Sequence, residues 1–356
     1  MLNDYGVLFP AGVVGSIPRP AFVRDLIGQD HLPPDDFERR MEAAVGYVAA
    51  LQEQAGLDVV SDGEWRRRSY IGVIAEMAHG FELGVNPADG RPWTVVTDRL
   101  APKQPGFVAR EVHTLRRMTD RMIKVSLPAP ALLGERLWDP QRSSRAYPKR
   151  EDFVRDCVPI LRREMELLRQ AGAAIVQIDD PHLCLFVDPA VRAGYEDAEA
   201  AADFAVDMVN AVVEGFEDMK LAVHLCRRAG ARARGEAHYA GGYDPILEQL
   251  NRLKVHHLTL EFTAPEPGDF EVLRRLREDF EIGLGCVSTQ PGRVDSVEEI
   301  VERVRRVLDY LPAERIMLNP DCGFAPGSAA RVDIDEVFQK LKNEAAAARR
   351  LRDLVG

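Results

Sequence analysis

Eight short apolar segments recur along the chain, and most of them end in polar residues. They are rich in β-branched residues and are mostly separated by longer segments with helical periodicity, such as 152–172 and 296–311. Continuous apolar strands that alternate with amphipathic helices indicate a parallel sheet covered on both faces. Eight such units predict an α/β fold of the (β/α)8 TIM-like barrel type, with an open doubly wound sheet as the competing fold. The segments end at or near Ser16, Glu64, Pro130, Asp179, Cys226, Glu261, Ser288 and Cys322.

The length of the chain fits one large domain of this type. A chain of 356 residues is within the range of a single α/β barrel, so we interpret residues 1–356 as one catalytic barrel. Residues 65–120 depart from the repeat, because this stretch is too long for one connecting helix, begins with basic residues and continues rich in Pro and Gly. We therefore predict an insertion after the second strand that lies over the barrel mouth.

Charge and composition exclude several classes of partner. A formal net charge of −11 argues against nucleic acid and against anionic membranes. No apolar run approaches the roughly 18 residues of a membrane span, and the first residues lack the basic and apolar regions of a signal peptide. Five scattered cysteines are too few for a disulfide framework and indicate reduced thiols. We expect a cytoplasmic protein, and a homo-oligomer is compatible with the sequence.

Metal-ligating side chains occur at several predicted strand ends, which is where the active sites of such barrels lie. His224 and Cys226 are two residues apart on one strand, so both side chains point to the same face. A histidine nitrogen and a thiolate suit zinc, which takes four ligands, and Glu261 and Cys322 end two later strands. A lone histidine or cysteine at a strand end is more often structural, so the spacing leaves zinc binding and a structural role open.

A zinc site of this composition suggests two kinds of chemistry. Zinc lowers the pKa of an incoming thiol, and the resulting thiolate is a nucleophile for alkyl transfer. A hydrolase would instead activate water and would need a general base, for which Glu64, Asp179 and Asp180 are available. Because neighbouring strand residues point to opposite faces, we expect Asp179 to contact substrate and Asp180 to cap a helix or pair with an arginine.

Eight motifs make the chain similar to a known family. They occur in the order of that family and cover most of the chain. On these motifs the chain resembles the catalytic barrel of cobalamin-independent methionine synthase, together with short single-barrel relatives such as the epoxyalkane:coenzyme M transferases. The motifs are VGSIPRP, VVSDGEWRR, VQIDDP, HLCR, LEF, GDFEVL, GCVSTQPGRVDSVEEI and NPDCGFAPG.

The resemblance implies a TIM-like barrel, a Zn2+ cofactor and contacts to homocysteine. The zinc ligands of the family correspond to His224, Cys226, Glu261 and Cys322. The residues that hold the homocysteine backbone in the synthase correspond to Gly15, Ser16, Glu64 and Asp179.

The chain also departs from the synthases at positions that bear on the alkyl donor. Asp180 stands where the synthases usually have Glu, and Ser288 and Gln290 replace an Asp and a His, the His being linked to proton transfer. The tryptophan that stacks on folate after the third strand has no counterpart at that offset, although Trp138 lies a few residues further on. These differences argue against methyl-folate as the donor without excluding it.

The predicted function is zinc-dependent S-alkyl transfer between a small-molecule thiol and an alkyl donor. We expect methyl transfer to homocysteine, giving methionine, with Glu64 and Asp179 as catalytic residues and Phe324 lining the pocket. One alternative is addition of a thiol to an epoxide or other small electrophile, where a sulfonate-bearing thiol would need an arginine such as Arg19. Further alternatives are a metal-free barrel like uroporphyrinogen decarboxylase and a non-enzymatic protein that binds zinc or carries a thiol.

Overall fold

The protein is a mixed α/β structure built on one curled parallel sheet. The computed structural model describes residues 5–27, 32–88, 90–228, 239–263, 270–325 and 332–355. Its strands are β1 (Val59–Val60), β2 (Ala78–Val85), β3 (Pro92–Pro102), β4 (Met122–Pro128), β5 (Ile175–Asp179), β6 (Lys220–Leu225), β7 (His257–Glu261), β8 (Glu281–Val287) and β9 (Ile316–Pro320).

Helices follow most of these strands. Short 3-10 turns lie at Asp244–Ile246, Phe270–Arg275 and Ala313–Arg315. The α-helices are α1 (Ala21–Ile27), α2 (Pro34–Ala55), α3 (Ile74–Met77), α4 (Ala109–Arg116), α5 (Pro130–Leu137), α6 (Arg150–Ala171), α7 (Pro181–Leu185), α8 (Pro189–Arg192), α9 (Ala198–Val213), α10 (Leu247–Arg252), α11 (Val297–Val307) and α12 (Ile334–Val355).

The main sheet curls until its two edges meet a common segment. Its strand order is β1-β4-β5-β6-β7-β8-β9, and all neighbours are parallel. Ala11 forms a parallel bridge to Leu318 on β9, and Gly12 forms one to Val59 on β1. The segment around Ala11 thus joins both edges, which is consistent with the predicted TIM-like barrel.

The first predicted strand is not a regular strand in the structure, and this corrects the sequence-based expectation. The backbone N–H of Ala11 donates to the Asp58 carboxylate at 2.9 Å, and that of Gly12 also donates to Glu344 at 3.1 Å. Side chains therefore take part of the hydrogen bonding that a strand ladder would use. Apolar composition alone does not reveal this competition.

The helical predictions are confirmed, and local chemistry explains where these helices end. Helix α6 covers most of the predicted segment 152–172, and α11 covers most of 296–311. Gly172 follows α6 with φ of 74°, a left-handed conformation that glycine adopts without steric cost. Helix α11 begins with a capping box formed by Ser296 and Glu299.

Residues 65–120 form the one large departure from strand and helix alternation in the described structure. They contain α3, an antiparallel hairpin of β2 and β3, and α4. The expectation that this stretch is more than one connecting helix agrees with these elements, whereas its origin as an insertion after the second strand stays a prediction. No described helix is long and apolar enough to span a membrane.

Candidate metal centre and active site

Three of the predicted metal ligands meet at the carboxyl ends of two strands. His224 lies on β6, Cys226 is the first residue after β6, and Cys322 follows β9. One potential ligand atom from each residue lies within 4.8 Å of those of the other two, and all three residues are buried. The two sulfur atoms are 3.4 Å apart. The fold therefore brings together residues that are 96 positions apart along the chain.

The imidazole of His224 is oriented for ligation by its other nitrogen. Nδ1 lies 3.2 Å from Oδ1 of Asp179, whereas the buried Nε2 has no hydrogen-bond partner among the described residues. A buried nitrogen without a partner is costly, and a metal ion would satisfy it. In metal-binding histidines, the N–H of the second ring nitrogen commonly donates a hydrogen bond to a carboxylate in this way.

The surroundings of Cys226 favour its thiolate, which is the form in which cysteine binds a metal. A hydrogen bond from Cys322 lowers the pKa of Cys226, and the neighbouring His224 charge acts in the same direction. The same hydrogen bond raises the pKa of Cys322, as does burial. Burial alone would lower the pKa of His224, but the negative charges of Cys226 and Asp179 raise it to about 10. The proton on His224 thus supplies positive charge that a bound metal cation could supply instead.

Glu261 is close to this group but is not one of the three residues whose ligand atoms converge. It ends β7, is fully buried, and its Oε2 accepts the backbone N–H of Arg227 at 2.9 Å. Its negative charge contributes to the raised pKa of Cys322, which places it within electrostatic range of the thiols. As a fourth metal ligand it stays a proposal.

The Glu64 carboxylate is held in place by a buried set of donors. Glu64 itself has φ of 59°, an uncommon backbone conformation for a residue with a side chain. Its Oε1 accepts the Ser126 hydroxyl at 2.9 Å, and Arg67 lies 3.8 Å away. Arg67 is fixed by two 2.7 Å hydrogen bonds to Glu111. Burial raises the pKa of Glu64, and the Arg67 charge opposes that shift.

Ser16 and Arg19 lie on the segment that faces Glu64. The Ser16 hydroxyl accepts the backbone N–H of Ala325 at 3.2 Å, which leaves its own proton available for a ligand. Arg19 Nη2 donates to the carbonyl of Glu64 at 2.8 Å and to that of Arg67. Arg19 therefore supports the backbone of the Glu64 turn, in addition to lining a cavity.

Two adjoining cavities open onto these residues. The one that contains the metal-binding group has a volume of about 570 Å³ and also includes Ser16, Glu64 and Asp179. A second cavity of about 930 Å³ shares Ser16 and Glu64 with the first. The walls common to both cavities come largely from the hairpin and the turn before it, and they include Ser69, Tyr70, Gly72, Pro92, Trp93 and Thr94.

Several sequence-based candidates lie elsewhere. Phe324 is packed in the hydrophobic core and lines neither cavity, although its backbone N–H donates to the Ser16 carbonyl at 2.9 Å. Gly15 lies behind Glu64, where a Cβ atom would come within 2.8 Å of Oε1. Asp180 caps α7 by accepting the Leu183 backbone N–H at 2.9 Å, which confirms the expectation of a capping role.

Sequence reasoning did not identify Trp93 as a cavity residue, and the fold also places His182 at a cavity wall. Trp93 lies on β3 and lines both cavities, and His182 on α7 lines the one with the metal-binding group. Burial and the charges of Arg150 and Arg136 lower the pKa of His182 to about 4, so its ring is neutral near pH 7. No strand-end pattern marks Trp93, because it belongs to the hairpin outside the main sheet.

Comparisons with known proteins agree on one family. The sequence model of the family described as "Cobalamin-independent synthase, Catalytic domain" matches residues 9–350. A methionine synthase of Pyrococcus furiosus is 27% identical over 355 residues, covering 97% of this chain and 93% of that protein. A methionine synthase of Saccharolobus solfataricus is 27% identical over 326 residues, covering 89% and 88%.

A solved structure supports the fold independently. The B12-independent methionine synthase from a Shewanella species, in complex with selenomethionine, matches with a TM-score of 0.80 at 20% identity and covers 98% of this chain and 99% of its own. At this level of identity the likeness bears on the fold alone. The family resemblance drawn from the sequence motifs is confirmed by the match over residues 9–350, and the chain belongs to the family of the catalytic domain of cobalamin-independent synthases.

Proposed function

We propose that the protein is a zinc-dependent methyltransferase that methylates the thiol of homocysteine. The observation that carries this proposal is the buried group of His224, Cys226 and Cys322, which lies in the same cavity as Glu64 and Asp179. The family to which the chain belongs consists of enzymes of the methionine synthase type, which act on small molecules.

The residues present fit a zinc ion. Two sulfur atoms 3.4 Å apart and the unpartnered Nε2 of His224 form a soft donor set, which favours zinc over magnesium or calcium. Glu261 is the proposed fourth ligand, since it is buried within electrostatic range of Cys322. When bound, zinc would lower the pKa of an incoming thiol, so that a thiolate is available near neutral pH.

The remaining residues bind and orient the amino-acid end of the acceptor. Glu64 and Asp179 present two carboxylates to the cavity, and such a pair suits the α-ammonium group of homocysteine. The Ser16 hydroxyl has its proton free to donate to the substrate carboxylate, since its oxygen already accepts the Ala325 N–H. Fixing this end of the substrate places its thiol at the metal-binding group, which lowers the entropic part of the barrier.

A thiol that carries a sulfonate would meet a negative charge at the Glu64 end of the cavity. Arg67 is the arginine beside Glu64, and its donors are directed to Glu111 and Ser126. The neighbouring Glu64 carboxylate would repel a sulfonate, whereas it attracts an ammonium group. Arg91, Arg136 and Arg228 also line this cavity, so our preference for an amino-acid thiol such as homocysteine over coenzyme M rests on the Glu64 carboxylate.

The test is the zinc content of the purified protein and its response to thiols. We expect one zinc per chain, proton release on addition of homocysteine and none with coenzyme M. We expect Cys322→Ser and His224→Ala to lose zinc while they stay folded, which circular dichroism would check. Stoichiometric zinc in both variants would show that the ligand set is wrong, and full activity without metal would favour the decarboxylase-like alternative.

A further inference from the structure

A chain of polar side chains runs from the metal-binding group into the interior of the curled sheet. Such interiors are usually filled by branched apolar residues. Here Gln177 on β5 and His257 and Thr259 on β7 are buried in it, with exposed fractions of 0%, 1% and 0%. We call these three residues the core relay. They touch neither cavity, so substrate binding does not explain them.

The core relay begins at the carboxylate that orients His224. Oδ1 of Asp179 lies 3.2 Å from Nδ1 of His224 and also accepts Nε2 of Gln177 at 2.8 Å. The second proton of Gln177 Nε2 is donated to the carbonyl of Val14 at 3.1 Å. A flipped amide would place its oxygen against two acceptors, so Gln177 has a single favourable orientation.

Thr259 and His257 fix that orientation from the other side. The hydroxyl of Thr259 donates to Oε1 of Gln177 at 3.4 Å, so its oxygen is available to accept from Nε2 of His257 at 3.1 Å. Nδ1 of His257 lies 3.5 Å from Glu281 but has no hydrogen-bond partner among the described residues, and Glu281 is held by Lys220 at 2.8 Å. With the ring proton of His257 on Nε2, the hydrogen bonds run in one direction, from His257 through Thr259 and Gln177 to Asp179.

Small residues on the intervening strands leave room for these contacts. Ala222 on β6 is in register with both Gln177 and His257, so the strand between them carries only a methyl group at this level. A Cβ atom at Gly283 on β8 would lie 2.4 Å from Nε2 of His257 and 2.8 Å from Oγ1 of Thr259. Strands β6 and β8 thus have residues at these positions that are small enough to leave space for the core relay.

We propose that the core relay positions the metal-binding imidazole, with Thr259 and His257 acting through Gln177 and Asp179 on His224. The inference rests on the proposed function, because it assigns His224 as a metal ligand. Loss of the Thr259 hydroxyl leaves Oε1 of Gln177 buried without a donor, so the amide is held less firmly against Asp179. Asp179 holds the His224 ring less firmly as a result.

The experiment compares zinc binding in Thr259→Val, Thr259→Ser and Thr114→Val by competition with a chelator. Thr114→Val is a matched control, since Thr114 on α4 is also buried and its hydroxyl also takes part in a 3.4 Å hydrogen bond. We expect Thr259→Val to weaken zinc binding by about 10- to 100-fold, as loss of such supporting contacts does elsewhere. Thr259→Ser keeps the hydroxyl and should restore most of the affinity, and Thr114→Val should bind zinc like the wild type.

A second measurement does not depend on the metal. In the metal-free protein labelled with 15N-histidine, the Nδ1–H resonance of His224, assigned by its loss in His224→Ala, should shift in Thr259→Val and not in Thr114→Val. Unchanged zinc affinity and an unchanged resonance in folded Thr259→Val would overturn the core relay while the proposed function stands. A wild-type protein that binds no zinc would overturn the proposed function and this inference with it.

Discussion

Gly15 contributes to the candidate site through the side chain that it lacks. A Cβ atom at this position would lie 2.8 Å from Oε1 of Glu64, closer than carbon and oxygen approach without strain. The same oxygen accepts the Ser126 hydroxyl at 2.9 Å, so it cannot retreat without breaking that contact. The resemblance to the synthases assigns Gly15 to substrate binding, and the structure adds a steric reason for glycine there.

Gly15→Ala tests this steric role. We expect the KM for homocysteine to rise by about tenfold or more, because the methyl group displaces the carboxylate that binds the substrate, and small displacements have large effects. Steady-state kinetics measures the change. Gly46→Ala is the control, since a Cβ there would make only an ordinary 3.6 Å contact with Met118. Equal KM values in wild type and Gly15→Ala would contradict the steric account.

At the scale of elements, strand ends and the hairpin contribute differently to the cavity. The polar residues at the ends of β5 and β6 and after β9 were foreseeable, because apolar runs that stop at polar residues mark strand ends. The hairpin of β2 and β3 was not foreseeable in this detail, because it lies outside the alternation of strands and helices that marks the main sheet. Its Trp93 nevertheless lines both cavities.

The fluorescence of Trp93 should report substrate binding. The chain has three tryptophans, and the other two, Trp65 and Trp138, line neither cavity and donate their indole N–H to backbone carbonyls, each at 3.0 Å. We expect homocysteine to change the emission of the zinc-loaded protein, and Trp93→Phe to abolish that change. An emission change that persists in Trp93→Phe would show that the hairpin does not face the bound substrate.

At the scale of the whole molecule, burial of ionisable groups couples stability to pH. His182 packs edge-on against Phe186 with ring centroids 5.4 Å apart, and burial lowers its pKa from 6.5 to about 4. The unfolded chain therefore binds a proton at a higher pH than the folded chain does. Burial of His182 therefore does not reduce the free energy of unfolding above pH 6.5. It reduces that free energy progressively as the pH falls from 6.5 toward 4.

This coupling predicts a difference in acid sensitivity. Between pH 7.5 and 5 we expect the free energy of unfolding of the wild type to fall by about 2 kcal/mol more than that of His182→Phe, which has no group to protonate there. Urea titrations at both pH values measure the difference. Parallel losses of stability in the two proteins would mean that His182 stays accessible to protons in the folded state.

The sequence by itself determined the alternation of strands and helices and the strand-end positions of His224, Cys226 and Cys322. These features are local, because a two-residue spacing or an apolar run depends on nearby backbone geometry. Phe324 shows the limit, since adjacency to Cys322 does not decide whether a side chain faces the cavity or the core.

Only the tertiary structure decided which distant groups share one environment. The sulfur contact between Cys226 and Cys322, the donors around Glu64 and the core relay each join strands or loops far apart in the chain. The curl of the sheet sets these distances, and burial then sets the pKa values and the hydrogen bonds. A pattern along the sequence predicts neither these distances nor the burial of each group.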